Sequence, residues 1–481
     1  MTQKKQFSKG GARIYQGRAA EQNQRKNRPQ NQVIKVQTAS PARKLALHVL
    51  TQVHSGGAFA SLSLNDALQE GYFRPEDRRL ATTLVYGVLE NEKKLDYILA
   101  QFMDHPTEDV ALQDILRMGV YQLLNLDRVP ESAAVNDAVI LSKGINPAAS
   151  GMVNGVLRNV IRGKDQLSFP DKEQDYTLWL SVLSSTPEWL TERMIADWGR
   201  EEAEQLLLYR EQEHGITIRP NLLKTDDAAF EKLLAKKTWT VRKGLVPHAW
   251  IVTGAAALNR DSDYLSGMFS IQGQSSMMAA EAMGARPGQK LLDVCAAPGG
   301  KSAYLCEQLQ LTGRVFAWEL HEKRAALIES AKRRLGLENL RISVRDGTVV
   351  REDLLGTMDG VLLDAPCSGL GVMAQKPDIK QRLKPEDLEE IAQTQRKLLD
   401  AVCGYVKKGG VLVYSTCTVV PGENREQVQA FLERHPEFQV EELPAACPEA
   451  IRQRQTPLGI QLLPHRDGVE GFFICRMRRV R

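Results

Sequence analysis

The sequence predicts a multidomain chain: an all-α bundle, then a small α+β segment, then a doubly wound α/β domain. Three observations predict it. Between Ala42 and Ile161 apolar residues recur at helical spacing. Between Ile216 and Thr253 short strand-like runs interrupt the helices. From about Tyr264 apolar runs of strand length alternate with helical stretches, the pattern of a parallel sheet with right-handed crossovers. A chain of 481 residues has room for roughly three domains.

Composition narrows the function classes. Apolar content of 43% and charged content of 25% describe an ordinary soluble globular protein. No apolar run approaches the ~20 residues needed to span a membrane. The first residues carry no apolar signal core, so a cytoplasmic protein without membrane contact is expected. The seven cysteines are Cys295, Cys306, Cys367, Cys403, Cys417, Cys447 and Cys475. Their odd number and the absence of a C-x-x-C argue against a disulfide framework and a metal site. Residues 1–44 hold eleven Lys and Arg against the single acid Glu21, a net +10, which leaves −6 for the rest of a chain totalling +4. Residues 1–41 are therefore expected to be a disordered basic tail able to contact a polyanion.

The helical region spans 42–165. Ala42, Leu45, Ala46, Leu50, Val49 and Val53 share one helix face, ended by Gly56-Gly57. Pro75, Glu76 and Asp77 open a second helix, with Leu80, Leu84, Val85 and Val88 on its face. A third is expected from Leu95 to Phe102. A fourth runs through Leu112, Ile115, Leu116, Gly119, Val120 and Leu123, with Gly119 suggesting close helix packing. Val135 to Leu141 and Val153 to Ile161 add two more. Residues 163–180 read as a linker. Thr186 is expected to cap a helix through Trp198, and a further helix reaches Tyr209. The α+β segment, 171–263, then holds strands at Ile216 to Arg219, Trp239 to Arg242 and Ala249 to Thr253, with a helix capped by Thr225 between them. Arg219, Lys224, Lys236, Lys237, Arg242 and Lys243 could form a basic face on it.

The α/β domain, 264–481, has a first strand at Leu291 to Val294. Strands follow at Arg314 to Leu320, Arg341 to Arg345, Gly360 to Asp364 and Gly410 to Ser415, with a late strand at Phe472 to Cys475 near the sheet edge. His321 to Leu335 and Pro385 to Val406 are helical between them.

The chemistry sits at the strand ends. The first strand runs through small residues into Pro298-Gly299-Gly300-Lys301 and a helix start, a geometry that lets backbone approach a nucleotide closely. It is not a G-x-G-x-x-G. Glu319 ends the second strand, where an acid bonds ribose hydroxyls, and Asp346 follows the third, where a carboxylate can take an adenine edge. Together they point to an adenosine-bearing cofactor, with Lys301 and the turn facing its tail. Strands four and five, expected as neighbours, run into Asp364-Ala365-Pro366-Cys367-Ser368 and Tyr414-Ser415-Thr416-Cys417. Two thiols at adjacent strand ends suit methylation at C5 of a pyrimidine. C5 is too weak a nucleophile until a thiolate adds at C6, and the C5 proton must then leave so the thiol can be eliminated.

Two resemblances follow from these residues. The string Val153-Asn154-Gly155-Val156-Leu157-Arg158-Asn159, with the helix order around it, resembles the NusB family of RNA-binding helical domains. Asp293–Lys301, Asp364–Ser368 and Tyr414–Cys417 resemble the RNA (cytosine-C5)-methyltransferases of the NOL1/NOP2/Sun family, a likeness covering about 42–481. This resemblance implies a Rossmann-like domain using S-adenosylmethionine. Cys295, Ala296, Ala297, Pro298, Gly299, Gly300 and Lys301 would line that cofactor, with Glu319, Asp346 and Asp364 as side-chain ligands. Cys417 would be the nucleophile, and Cys367 would assist proton removal and release; whether Asp364 also reaches the cytosine stays open. The bacterial members with a NusB-like domain imply 16S ribosomal RNA, before full subunit assembly, as partner of a monomer. The family usually has Asp at the position of Glu319, and its Gln-Asp-x-Ser segment reads Gln272-Gly273-Gln274-Ser275 here. Three alternatives remain: Cys367 as nucleophile, as in the DNA cytosine-C5 enzymes; another RNA as substrate; or an RNA-binding assembly factor with a relict fold.

Overall fold

Ser40 opens the helical region, its hydroxyl accepting from the Arg43 amide at 3.4 Å with Pro41 in the first turn, so α1 runs Pro41–Gly56. The structure is a computed structural model that describes residues 38–210, 215–255 and 257–481. All but the last four residues of the expected tail lie outside the described residues. Five helices follow: α2 (Ala60–Glu70), α3 (Pro75–Leu99), α4 (Val110–Asn125), α5 (Glu131–Ile145) and α6 (Ser150–Gly163). The six apolar residues expected to face inwards from α1 are all buried. Gly119 lets α4 meet α6: a Cβ there would stand 2.6 Å from Leu157 Cδ2. Two expectations need correction. α2 carries too few apolar residues to announce itself; only Ala60 and Leu64 are buried. The second and third expected helices are one 25-residue helix, α3, because the polar stretch from Glu90 to Lys94 holds good helix formers and no Gly or Pro.

The expected linker is also partly helical. Asp175 caps α7 (Tyr176–Ser184), accepting from Leu178 N at 2.9 Å. Then come α8 (Glu188–Trp198) and α9 (Arg200–Leu208). Thr186 does not cap α8. It is buried and its hydroxyl donates backwards to Ser184 O, leaving Pro187 at the cap. Leu180, Leu190, Met194 and Leu207 pack in one cluster with Leu370 and Val419 of the C-terminal region.

A small antiparallel sheet comes next, order β2-β3-β1-β4: β1 (Ile216–Pro220), β2 (Thr240–Lys243), β3 (Trp250–Thr253) and β4 (Phe269–Ile271). α10 (Asp227–Leu234) is capped by Asp226 rather than Thr225, and its Phe230 packs on Ile218, Trp250 and Phe269. The expected basic face is largely neutralised. Arg219 is fully buried against Glu307. Lys237 pairs with Asp261 and Asp263, Lys243 with Glu231, and Lys224 donates to Ser266 O.

After α11 (Ser262–Leu265) and α12 (Gln274–Glu281), the large sheet runs β5 (Lys290–Val294), β6 (Arg314–Glu319), β7 (Leu340–Val344), β8 (Met358–Asp364), β9 (Val406–Thr416), β10 (Phe438–Val440), β11 (Ile460–Leu462) and β12 (Phe472–Arg479). Its order is β10-β12-β9-β8-β5-β6-β7, with β11 also on β12. The five strands from β7 to β9 are parallel, as expected, but β12 lies antiparallel to β9. The helices between the strands are α13 (Gly300–Gln308), α14 (Glu322–Leu335), α15 (Asp378–Arg382), α16 (Pro385–Val402) and α17 (Arg425–Arg434). Chain order reverses between β5 and β8, so the crevice at their carboxyl ends is the switch point where such sheets bind ligands. Among the described residues no helix is long and apolar enough to cross a membrane, and no group of three or more His, Cys, Asp or Glu is placed to hold a metal ion.

Candidate active site

β5 delivers the chain into Cys295 at φ 64° and Gly299 at φ 104°. Gly299 suits that left-handed value, and Ile328 Cγ2 would stand 3.2 Å from a Cβ there. The turn is tied to β6 by Ala296 N donating to Trp318 O at 2.9 Å and closed by Gly299 N donating to Ala296 O. Ala297, Pro298 and Gly300 complete it, and no side chain caps the start of α13 behind it. Ser302 Oγ donates to the wholly buried Asp293 at 2.5 Å, while Asp293 Oδ1 has no partner among the described residues. Burial raises the Asp293 carboxyl to about 7, and it pushes the Cys295 thiol up to about 12.

Glu319 closes β6 with 2% exposure; its carboxylate accepts from Ala297 N at 3.3 Å and His321 N at 3.2 Å. Glu319 and the turn therefore meet, as the sequence suggested. Asp346, two residues past β7, is exposed and accepts from Thr348 Oγ1 and Thr348 N, which hold it below the usual carboxylate range. A close-approach turn, a helix start with no side-chain cap, an orphaned buried oxygen and two acids at neighbouring strand ends fit a nucleoside cofactor at this edge.

The other half lies at β8 and β9. Asp364 ends β8, taking Lys301 Nζ at 2.6 Å on one oxygen and Ser415 Oγ at 2.8 Å on the other. Burial opposes the Lys301 charge, but the adjacent Asp364 raises its ammonium above the ordinary value. Parallel pairing sets Asp364 opposite Ser415, and just beyond them Cys367 Sγ and Cys417 Sγ stand 3.2 Å apart. Either sulfur can donate across this contact. With Cys367 as the donor, Cys417 is lowered, helped by the Lys301 and Lys376 charges against burial and Asp364. The same bond, with burial, holds Cys367 well above the ordinary thiol value.

Three residues behind the thiols were missed in the sequence. Glu423, 1% exposed, accepts from Ser368 N at 2.9 Å, Ser368 Oγ at 2.5 Å and Gln395 Nε2 at 3.0 Å, and burial raises its carboxyl. Gln395 also donates to Pro366 O at 2.9 Å. Gly371 N holds Cys417 O at 3.0 Å, with the Gly471 carbonyl 1.9 Å from where a Cβ would lie. Pro421-Gly422-Glu423 reads as a surface turn in sequence, so Glu423 gave no signal. At the family's Gln-Asp-x-Ser position, the Glu470 carboxylate fills the space beside Gly273, 2.1 Å from a Cβ position, and Ser275 donates to Glu470.

Comparison with known proteins adds three matching family models. "16S rRNA methyltransferase RsmB/F" matches residues 280–478, the NusB family matches 40–162, and an RsmF/B-like ferredoxin-like domain matches 186–259. A Bacillus subtilis protein named "Probable ribosomal RNA small subunit methyltransferase B" is 36% identical over 442 residues, covering 91% of this chain and 98% of that one. "Ribosomal RNA small subunit methyltransferase B" of Sodalis glossinidius is 31% identical, covering 91% and 96%. The crystal structure of PH0851 shares the fold, with TM-score 0.77 over 92% of this chain and 99% of that one at 23% identity.

Proposed function

The chain belongs to the ribosomal RNA small subunit methyltransferase B family, and from that premise we propose that it methylates C5 of a cytosine in 16S ribosomal RNA through a covalent Cys417–C6 adduct. The observation that carries this is the pair of thiols 3.2 Å apart at adjoining strand ends. Bound at the carboxyl edge of β5–β7, S-adenosylmethionine supplies the electrophilic methyl group. The turn Cys295–Lys301 would approach its tail, Glu319 would take the ribose hydroxyls, Asp346 the adenine edge, and Asp364 would be a further side-chain ligand.

Cys417, the thiol with the lowered proton affinity, adds to C6 and makes C5 enamine-like. Lys301, fixed by Asp364, is the cation that favours the Cys417 thiolate. Once C5 carries the methyl group, its hydrogen leaves as a proton to solvent water. The C5–H pair then reforms the C5–C6 double bond, and the C6–S pair returns to Cys417. Cys367 assists this step. A monomer acting on 16S RNA before full subunit assembly completes the reading.

Separate substitution of the cysteines tests it. Cys417→Ala should abolish methylation and form no adduct. Cys367→Ala should accumulate a protein–RNA adduct that survives denaturing electrophoresis. The reverse pattern would assign the nucleophile to Cys367, and two active variants without an adduct would overturn the covalent route. Bisulfite sequencing of ribosomal RNA from a deletion strain locates the cytosine.

A further inference from the structure

A cavity of about 460 Å³ opens beside the Cys367 loop, where the helical region meets the catalytic domain. Pro366 and Ser368, which flank Cys367, line it together with Phe59, Arg382, Asp387 and Glu390. Phe59 stands just before α2 and is 53% exposed, and the Arg382 guanidinium stacks on its ring at 3.9 Å. Arg382 Nη1 is buried with no hydrogen-bond partner among the described residues. Ala60 N donates to the buried Asp378 at 3.4 Å, which fixes Phe59 against α15.

We propose that this cavity takes the base of a nucleotide neighbouring the target cytosine in the RNA chain. The inference rests on the reading above that the substrate is RNA. An open aromatic ring backed by a guanidinium is a stacking platform for any base. Asp387 and Glu390 repel a phosphate but accept from base amino and imino groups. The position beside Cys367 suits a nucleotide adjacent to the reacting one. RNA bases are open to such contact when splayed out of a single-stranded segment.

The test measures binding by the full-length protein of fluorescein-labelled 16S RNA fragments, using anisotropy, without methyl transfer. Phe59→Ala and Arg382→Ala should each weaken binding of the recognised fragment about tenfold. Calorimetric affinity for S-adenosylmethionine should be unchanged, which also reports an intact fold. An abasic site at one neighbouring position should cause the same loss in the wild type and no further loss in Phe59→Ala. Unchanged binding in both variants would overturn the proposal. So would abasic losses that add to Phe59→Ala at every position, since the cavity would then hold a phosphate or a protein segment rather than a base. A wild type that shows the coupled loss but transfers no methyl group would overturn the proposed function and leave the cavity assignment standing. A wild type that binds no fragment would overturn both.

Discussion

Lys301 Nζ lies 2.6 Å from Asp364 in a buried site, and its charge reaches Cys417. Replacing it with methionine removes a cation that lowers Cys417 and leaves Asp364, which raises Cys417, uncompensated. Both changes push the thiol upward. In Lys301→Met the acid limb of single-turnover methyl transfer, at saturating cofactor, should therefore move to the alkaline side. A lower rate with an unmoved limb would show that Lys301 does not tune the thiol. Side-chain chemistry of this kind was partly legible in sequence. Lys301, Asp364, Cys367 and Cys417 stand in short motifs at strand ends, and Glu319 ends its strand. Glu423 was not legible, because it becomes a buried acceptor only after a turn folds back under Ser368.

Three helices of the NusB-like region cross at one charged cluster. His54 of α1 bonds Asp114 of α4 at 2.7 Å and lies 3.5 Å from Glu92 of α3; Arg117 pairs with Glu92 at 3.0 Å and Asp96 at 2.6 Å. Burial opposes charge on His54, yet its bonds to Asp114 and Glu92 raise it from 6.5 to about 9. The folded value lies above the unfolded one, so the stability it contributes is fully present below about pH 6.5. That stability is lost as pH rises through about 9. His54→Ala leaves two buried carboxylates with one partner fewer and should cost about 3 kcal/mol at pH 6, read by denaturant unfolding. The gap from wild type should narrow at pH 10; a gap independent of pH would mean packing, not charge, is what His54 supplies. Only the apolar faces of these helices were visible in sequence, because polar residues on a helix carry no mark of which ones turn inward.

The small sheet and the large one are joined by a buried ion pair. Arg219 of β1 and Glu307 of α13 are both fully buried and 2.5 Å apart, with the Arg219 guanidinium 4.2 Å over the Tyr304 ring. Leu222 N donates to the same Glu307 carboxylate at 3.0 Å. Arg219→Met strands Glu307 without its cation and should lower unfolding stability by roughly 3–5 kcal/mol. Adding Glu307→Leu should recover most of that loss, since an apolar pair of similar volume avoids the desolvation cost. A single variant as stable as wild type would remove the pair as the joint between the sheets. At this scale Trp198 also donates to Val419 O at 3.1 Å and Lys380 to Ser184 O at 2.7 Å, so α7, which begins within the expected linker, packs with α8 and α9 against the catalytic domain.

Local signals in the sequence determined most helix faces of the bundle, six of the eight strands of the large sheet, the glycine turn after β5 and the positions of both cysteines in the chain. Apolar periodicity and turn chemistry act within a few residues, so they are written in the order of residues. Tertiary structure alone decided the rest. Strand direction leaves no trace in an apolar run, so the antiparallel β12 was invisible. Arg219 reads as a surface base until Glu307, 88 residues on, meets it. Fifty residues separate Cys367 from Cys417, and only the parallel register of β8 against β9 brings their sulfurs to 3.2 Å.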